Sequence, residues 1–178
     1  METTPQKTKK AVIDYYQYWE TEAIKADLDT KRHNFSVLCC HIQGDFNIGS
    51  VIRNANAFLA SEVVIYGRKR WDRRGAVGTH NYTNLKYVKK DESLDWLKDY
   101  HVVAMDNIPG AVPIDDYKWP EDKPVVMVFG EEGAGVHQNV LDLADDIVYI
   151  KQYGSTRSLN VGCASAVAMQ DYCRKVVK

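Results

Sequence analysis

The 178-residue sequence lacks the features that mark membrane, secreted and many metal-binding proteins. No run of 18 apolar residues is present, so the sequence predicts no transmembrane helix. Its first ten residues, METTPQKTKK, have no apolar centre, so we expect no secretory signal peptide and a cytoplasmic protein. The four cysteines, at positions 39, 40, 163 and 173, form no C-x-x-C pair. We interpret them as reduced core thiols and expect no metal site.

Short motifs of several common enzyme classes are also missing. The sequence contains no G-x-S-x-G, no H-E-x-x-H and no phosphate loop ending in G-K-[ST]. His80 and His137 have no carboxylate or nucleophile at a telling spacing, so we expect neither to be a catalytic base. The missing G-x-G-x-x-G after the first predicted strand disfavours a dinucleotide-dependent enzyme of small molecules, which stays open as one alternative.

One basic block stands out against a net charge of -1. Between residues 68 and 90 there are eight Lys or Arg and a single acidic residue, Asp72. This block therefore carries +7, and the rest of the chain carries -8. A local block of this kind predicts a contact with a phosphate-rich partner, and the alternative is a solvated loop balanced by acids elsewhere.

Short apolar runs alternate with helical patterns along most of the chain. Residues 11–28 predict an amphipathic helix rich in tyrosine. The predicted strands are Val37–Ile42, Val63–Tyr66, Val102–Met105, Val125–Phe129 and Ile147–Ile150. The further predicted helices are Ile48–Ala60, Ser93–Tyr100, Val136–Ala144 and Ser158–Val177. This alternation predicts an α/β fold, with a mostly parallel sheet, helices on both faces and ligands beyond the carboxyl ends of the strands.

The segment after the first predicted strand combines an apolar helix face with one arginine. Apolar residues from Ile48 to Leu59 recur at helical spacing, and Arg53 lies roughly 160° from the centre of their stripe. Arg53 should therefore point away from the core contact of its own helix. Asn47 fits the N-cap of this helix. The pattern alone allows a functional arginine or an ordinary surface one.

Two more segments follow later strands. Phe129–Gly135 holds three glycines, which let a ligand approach the backbone closely or simply make a tight turn. Residues 153–162 open a helix whose first turns are almost entirely small and apolar, so we expect it to be buried. Asn160 at its start needs hydrogen-bond partners, and Ser158 fits its N-cap.

Together these three segments resemble the SpoU (TrmH) branch of the SPOUT RNA methyltransferases. The matching motifs are N-I-G-S-V-I-R-N-A at 47–55, F-G-E-E-G-A-G-V at 129–136 and S-T-R-S-L-N-V at 155–161. The resemblance covers residues 35–178 and implies an α/β fold with a C-terminal trefoil knot. It further implies S-adenosyl-L-methionine as cofactor and a homodimer with its active site across the subunit interface. Leu59 departs from the pattern, because many members have glycine there, and this puts the local turn in doubt.

The resemblance also assigns residues by position. It implies that Arg53 is the catalytic arginine and that the polar residues around it are Asn47, Glu132, Ser158 and Asn160. It implies a cofactor site formed at Met105, Asp106, Phe129, Gly130, Ile150, Gln152, Ser158 and Leu159. We assign the RNA backbone contact to the basic block, with Arg68, Lys69, Arg70, Arg73 and Arg74. We expect Trp71 and Tyr82 to stack on unpaired bases.

The sequence thus predicts an RNA methyltransferase with an N-terminal helical extension, residues 1–34, and a methyltransferase domain, residues 35–178. The expected reaction is methyl transfer to a ribose 2′-oxygen of tRNA or rRNA, with no DNA or membrane partner. A base acceptor stays open within the wider superfamily. The other alternative is a catalytically silent RNA-binding protein on the same scaffold, which the presence of Asn47, Arg53, Glu132 and Asn160 disfavours.

Overall fold

The computed structural model describes residues 11–68 and 70–177, except for the side chain of Asp45. Its centre is a seven-stranded sheet in the order β3-β2-β1-β6-β4-β7-β5, with parallel pairing between all neighbours. The strands are β1 Phe35–Cys40, β2 Val63–Tyr66, β3 Leu85–Val88, β4 His101–Met105, β5 Val112–Pro113, β6 Val125–Phe129 and β7 Asp146–Tyr149. The predicted parallel α/β fold is confirmed.

Helices pack on both faces of this sheet. The α-helices are α1 Thr21–Asp29, α2 Asp45–Ala57, α3 Gln138–Leu141 and α4 Val161–Val176. Short 3₁₀ helices lie at Asp14–Tyr16, Arg73–Ala76, Thr79–Asn81 and Asp95–Asp99. Successive strand residues point to opposite faces. Alternate residues of β1 and β6 therefore pack either against α2 and α4, or against α3 and the 3₁₀ helix at 95–99.

Two strands and several helix ends differ from the prediction. The sequence pattern missed β3, whose residues are half exposed at a sheet edge, and β5, which has only two residues. The predicted helix Val136–Ala144 is limited to the four residues of α3. The predicted helix Ser93–Tyr100 is instead a short 3₁₀ helix, Asp95–Asp99. The first helix of the sheet, α2, starts at Asp45 instead of Ile48, because Gly44 takes the N-cap position.

The single helix predicted for residues 11–28 is wrong. A 3₁₀ turn at Asp14–Tyr16 is followed by a break, and α1 begins only at Thr21. The break lets the rings of Tyr16 and Trp19 meet edge to face at 5.5 Å. Tyr16 and Ile24 then bury themselves against Tyr82 in a small cluster apart from the two faces of the sheet. Tyr82 is only 8% exposed, so its predicted stacking on RNA bases is wrong.

The C-terminal helix α4 is less buried than its composition predicts. Cys163 and Val167 are exposed on its outer face, whereas Ala168 and Met169 are buried. Cys39 and Cys40 are core thiols as predicted, but the prediction is wrong for Cys163. Among the described helices, none is long and apolar enough to span a membrane. The trefoil knot stays a prediction.

Candidate functional site

The three sequence motifs meet in one hydrogen-bonded triangle of side chains. Glu132 Oε1 accepts hydrogen bonds from Asn47 Nδ2 at 2.8 Å and from Asn160 Nδ2 at 2.9 Å. Asn160 Nδ2 also lies 3.0 Å from Asn47 Oδ1, to which it donates. These residues are 28 to 113 positions apart in the chain. The parallel sheet brings them together because each follows the carboxyl end of a strand.

Local capping places Asn160 at its corner of this triangle. Asn160 is the N-cap of α4, and its Oδ1 accepts from the backbone N–H groups of Gly162 and Cys163 at 2.9 and 3.4 Å. The side-chain oxygen of Asn160 therefore caps the helix, and its side-chain nitrogen donates the hydrogen bonds of the triangle. The predicted capping of α4 by Ser158 is wrong, since the helix starts at Val161.

Asn47 sits in the first turn of α2 and is not its N-cap. Its backbone N–H donates to the carbonyl of Gly44 at 2.8 Å, which leaves the side chain free to reach Glu132 and Asn160. The predicted capping role of Asn47 is therefore wrong, because Gly44 supplies the extended residue before the helix. The Asn47 side chain therefore bonds to Glu132 and Asn160 and not to the backbone of its own helix.

A second contact, which the sequence did not predict, fixes α4 against α2. Asn54 Nδ2 donates to the carbonyl of Gly162 at 2.7 Å and to Ser165 Oγ at 2.9 Å. A Cβ atom on Gly162 would lie 2.9 Å from Ser50 Cβ, so only glycine permits this approach. The small residues at the start of α4 thus serve helix packing next to the triangle.

The glycine-rich loop after β6 is closed by a small backbone bridge. Glu131 and Gly135 exchange two hydrogen bonds of 2.9 Å, and Gly133 and Gly135 have φ angles of +95° and +72°. The loop turns back on itself and leaves Glu132 exposed at its tip. Glycine is needed at the two positive φ angles, and the result is a fixed position for the Glu132 carboxylate.

The predicted cofactor residues lie on three neighbouring loops. Met105 and Phe129 are paired in register at the carboxyl ends of β4 and β6. Asp106 Oδ2 accepts from the Val136 backbone N–H at 2.8 Å, joining the loop after β4 to the loop after β6. The segment 150–160 joins them through the carbonyl of Arg157, which accepts from Asn107 Nδ2 at 3.3 Å and more weakly from Gln152.

One buried atom in these loops is left without a partner. Gln152 Oε1 is shielded from solvent and accepts no hydrogen bond from the described residues. An orphaned buried acceptor is costly, and a ligand carrying an N–H or O–H group would satisfy it. S-adenosylmethionine carries an amino group on its adenine and hydroxyls on its ribose, so the donor set fits this group.

Other predicted site residues stand apart from the triangle. Arg53 is exposed on α2, as its angle to the apolar stripe predicts, and its guanidinium makes no hydrogen bond or ion pair with the described residues. Ser158 and Leu159 are also exposed, and Ile150 is half-buried at the end of β7. Within one chain, the structure therefore brings together Asn47, Glu132 and Asn160, but neither Arg53 nor the Ser158 hydroxyl bonds to them.

A pair of histidines that the sequence did not predict lies next to the glycine-rich loop. The rings of His41 and His137 stack in parallel with centroids 4.2 Å apart, and His137 Nε2 lies 3.7 Å from a carboxylate oxygen of Glu131. Burial, together with the charges of His137 and Lys90, lowers the pKa of His41. His137 thus has a carboxylate neighbour that its spacing did not indicate, and Gly67 leaves room for the His41 ring.

The basic block extends from the end of β2 to the residues just after β3. Arg70, Arg73 and Arg74 are exposed, and Arg74 pairs with Asp72 at 2.6 Å. Arg68 instead donates to the carbonyls of residues 42 and 43, in the loop before α2. Lys69 lies outside the described residues. In the described part of the chain, no group of three or more His, Cys, Asp or Glu is placed to hold a metal ion.

A parallel α/β sheet with three polar loops converging at its carboxyl edge defines a class of ligand-binding α/β proteins. Comparison with known proteins narrows this class. A sequence profile described as the SpoU rRNA methylase family matches residues 34–170. The chain therefore belongs to the SpoU methylase family, and the predicted resemblance is confirmed.

Individual relatives are distant. The chain is 25% identical over 179 residues to a putative TrmH family tRNA/rRNA methyltransferase of Staphylococcus haemolyticus, covering 96% of this chain and 71% of that protein. It is 28% identical over 133 residues to the Bacillus subtilis 23S rRNA (guanosine(2553)-2′-O)-methyltransferase RlmP, covering 71% of this chain and 52% of that protein. The chain spans 43% of another curated relative, from Mycobacterium ulcerans.

A solved structure shares the fold. The SpoU methyltransferase AviRb from Streptomyces viridochromogenes, crystallised with AdoMet, superimposes with a TM-score of 0.72 at 25% identity. The match covers 83% of this chain and 60% of AviRb.

Proposed function

We propose that this protein is an S-adenosylmethionine-dependent RNA methyltransferase that transfers a methyl group to a ribose 2′-oxygen of tRNA or rRNA. The observation that carries the proposal is the triangle of Asn47, Glu132 and Asn160, which unites the three family motifs at one edge of the sheet. Relatives named as 2′-O-methyltransferases of tRNA and rRNA support the ribose acceptor.

Arg53 supplies the electrostatic part of this reaction. A ribose hydroxyl is a poor nucleophile, and its oxygen becomes negative as it attacks. A guanidinium about 4 Å away stabilises that charge by about 4 kcal/mol at an effective dielectric constant of about 20. If this stabilisation arises only in the transition state, it corresponds to about a thousand-fold in rate. Arginine stays protonated, so the proton leaves to water or to a phosphate oxygen.

The triangle holds the acceptor side of the site. Glu132 is fixed by two amide groups, and its second carboxylate oxygen can accept a hydrogen bond from a ribose hydroxyl. Ser158, which lies two residues before Asn160, offers a further hydroxyl for the ribose or the cofactor. Because the reaction depends on alignment of oxygen and methyl carbon, a rigid carboxylate position favours it.

The cofactor site lies in the three loops linked through Asp106 and Arg157. Backbone groups at Met105, Phe129, Gly130, Ile150 and Leu159 would hold S-adenosylmethionine, with the Gln152 acceptor as a polar partner. When bound, S-adenosylmethionine supplies an electrophilic methyl group. The residues of this chain bind it, align it and exclude water from it. The crystal structure of AviRb with AdoMet supports this cofactor.

A homodimer would complete the site. Arg53 of one chain bonds to none of the triangle residues of that chain, so we place the partner's Arg53 next to the triangle.

We further propose a cytoplasmic protein in which residues 1–34 form an extension and residues 35–178 form the methyltransferase domain. Tyr16 and Ile24 of the extension pack on Tyr82, which supports the proposal that the extension covers part of the basic block.

The decisive experiment is transfer of a labelled methyl group from S-adenosylmethionine to unmodified RNA, followed by alkaline hydrolysis. Label in alkali-resistant dinucleotides identifies a 2′-O-methyl product, since a blocked hydroxyl cannot cleave its phosphodiester. Label in ordinary mononucleotides would indicate a base acceptor instead. RNA binding without any label, together with no cofactor binding by calorimetry, would favour the silent RNA-binding protein.

The role of Arg53 has its own test. Arg53→Ala should lower methyl transfer by about a thousand-fold or more and leave the calorimetric affinity for S-adenosylmethionine within about twofold. Mixing Arg53→Ala subunits with Asn160→Ala subunits should restore part of the activity, because one of the two sites in a mixed dimer is then intact. Loss of cofactor binding in Arg53→Ala, or no recovery on mixing, would contradict the assignment.

A further inference from the structure

A concave site lies at the same edge of the sheet as the candidate active site. It is a cavity of about 410 Å³ between the carboxyl ends of β2 and β3, formed by Gly67, Arg68 and residues 87–90 with Glu92. Its volume lies within the range of about 300–1,000 Å³ typical of small-ligand pockets. The motifs of the family do not include these residues.

The wall of this β2–β3 pocket is an aromatic ring. Tyr87 is 47% exposed although it belongs to strand β3, and its neighbour Val88 is buried. The Tyr87 hydroxyl accepts a hydrogen bond from Trp71 Nε1 at 3.2 Å, which restrains the ring at its polar end. An exposed, restrained aromatic face offers a stacking surface for a planar ligand at low entropic cost.

The rim of the β2–β3 pocket is positively charged. Arg68, Lys89 and Lys90 supply three cations, and Glu92 supplies one anion, 4.0 Å from Lys89 Nζ. The backbone at Lys90 is held in place by a hydrogen bond from the Tyr66 hydroxyl at 3.0 Å. Charge complementarity therefore favours a ligand that joins a planar ring to a phosphate, and the basic rim disfavours a neutral apolar ligand.

The β2–β3 pocket lies close to the triangle of Asn47, Glu132 and Asn160. In the sheet order β3-β2-β1-β6, the gap between β2 and β3 lies two strand spacings from the gap between β1 and β6, or roughly 10 Å. Arg68 connects the two regions, because its guanidinium donates to the carbonyls of residues 42 and 43, just before α2. A ligand in the pocket would therefore lie close to the ribose acceptor of the proposed reaction.

We propose that the β2–β3 pocket binds one unpaired base of the RNA substrate, stacked on Tyr87, with its adjoining phosphate at Lys90. This inference rests on the proposed function, which supplies RNA as the partner. The base is unpaired because a base inside a duplex has no free face for Tyr87. The pocket selects RNAs that present a flexible or looped nucleotide near the methylated ribose.

The test measures binding of the full chain to a fluorescent single-stranded RNA and to a fully paired duplex of the same sequence. Tyr87→Ala should weaken single-strand binding by roughly 5- to 100-fold and change duplex binding by less than twofold. Tyr87→Phe, which keeps the ring, should stay within about threefold of the wild type. Tyr18→Ala removes an exposed tyrosine outside the pocket and should have no effect.

Salt dependence separates the stacking role from the phosphate role. Lys90→Gln should reduce the slope of log affinity against log salt by about 0.7, the value for one phosphate contact on a single strand. Tyr87→Ala should lower the affinity and leave that slope unchanged. Lys118→Gln, an exposed lysine elsewhere on the chain, should change neither quantity.

Methyl transfer by the same variants distinguishes failure of the pocket from failure of the proposed function. Tyr87-dependent RNA binding with no methyl transfer by the wild type would leave the pocket intact and overturn the proposed activity. Active wild type with an unchanged KM and RNA affinity in Tyr87→Ala would overturn the pocket alone. Equal weakening of single-strand and duplex binding, or no RNA binding by the wild type, would also overturn it. Circular dichroism and cofactor affinity check that each variant is folded.

Discussion

Replacing Asn160 by alanine removes two interactions of a single side chain. The N-cap of α4 is lost, which costs about 1 kcal/mol in typical helices. The amide hydrogen bonds to Asn47 and Glu132 are also lost, and at this exposed site they contribute no more than about 1 kcal/mol. The expected total is about 1.5 kcal/mol. For a chain of this length, such a loss lowers the melting temperature by roughly 3–6 °C.

Asn160→Asp separates the two interactions. The new carboxylate keeps the cap and favours the positive end of the helix dipole, but it lies about 3 Å from Glu132 Oε1. Repulsion at that distance costs about 1.4 kcal/mol in a water-like dielectric. The variant should therefore be less stable than the wild type at pH 7 in low salt, and about 1 M salt should reduce the loss of stability because it screens the repulsion.

Thermal unfolding followed by circular dichroism at pH 7, in low and in high salt, measures both effects. Ser158→Ala is the matched control, because no hydrogen bond of the Ser158 hydroxyl occurs in the described part of the chain, and it should unfold like the wild type. Equal melting temperatures for Asn160→Ala and the wild type would refute the capping argument. An Asn160→Asp variant as stable as the wild type at pH 7 would refute the contact with Glu132.

Two further predictions concern the histidine pair and its surroundings. Gly67→Ala should lower the free energy of unfolding by at least about 2 kcal/mol, because φ is +79° and the new methyl group would collide with the His41 ring. Gly78→Ala is the control, because its φ is +84° but the space around it is open, and it should lower that free energy by only about 1 kcal/mol. Urea unfolding measures both values. Burial lowers the pKa of His41, so the unfolded chain binds a proton first and stability falls as the pH drops below about 6.5. In the His41→Asn variant, stability should fall less between pH 7.5 and pH 5.5 than in the wild type, and asparagine tolerates the φ of +53° at this position. An unchanged pH dependence of stability would contradict the burial argument.

The continuous apolar runs predicted the central strands well. Val63–Tyr66 and Val125–Phe129 form strands with the predicted bounds, because both are short, wholly apolar and buried on both faces. The edge strand at Leu85–Val88 lacks that signal, since its middle residues face solvent. Residues 11–28 do not form one helix although their periodicity predicts it, and Tyr16 and Ile24 instead pack on Tyr82, a contact distant in sequence that no local pattern contains.

The sequence predicted which residues belong to the candidate site but not how their side chains contact one another. Family motifs indicated Asn47, Glu132 and Asn160, yet the sequence could not show that the two asparagines share one carboxylate oxygen. Capping rules placed the N-cap of α4 at Ser158, two residues before the observed N-cap Asn160, because several polar residues compete at the start of the helix. Leu59 adopts φ of +54° in spite of its side chain, so tertiary packing outweighs a backbone preference there.

The triangle also has a consequence for how the chain acquires its activity. Asn47 and Asn160 are separated by 113 residues, and Asn47 and Glu132 by 85. Contacts of such long sequence separation form late and slowly, since loop-closure entropy must be overcome first. During synthesis, a chain that has not yet emerged beyond α4 has its central strands but no complete triangle. Catalytic competence should therefore appear only after Asn160 has reached the folded sheet, which makes methyl transfer a sensitive readout of that step.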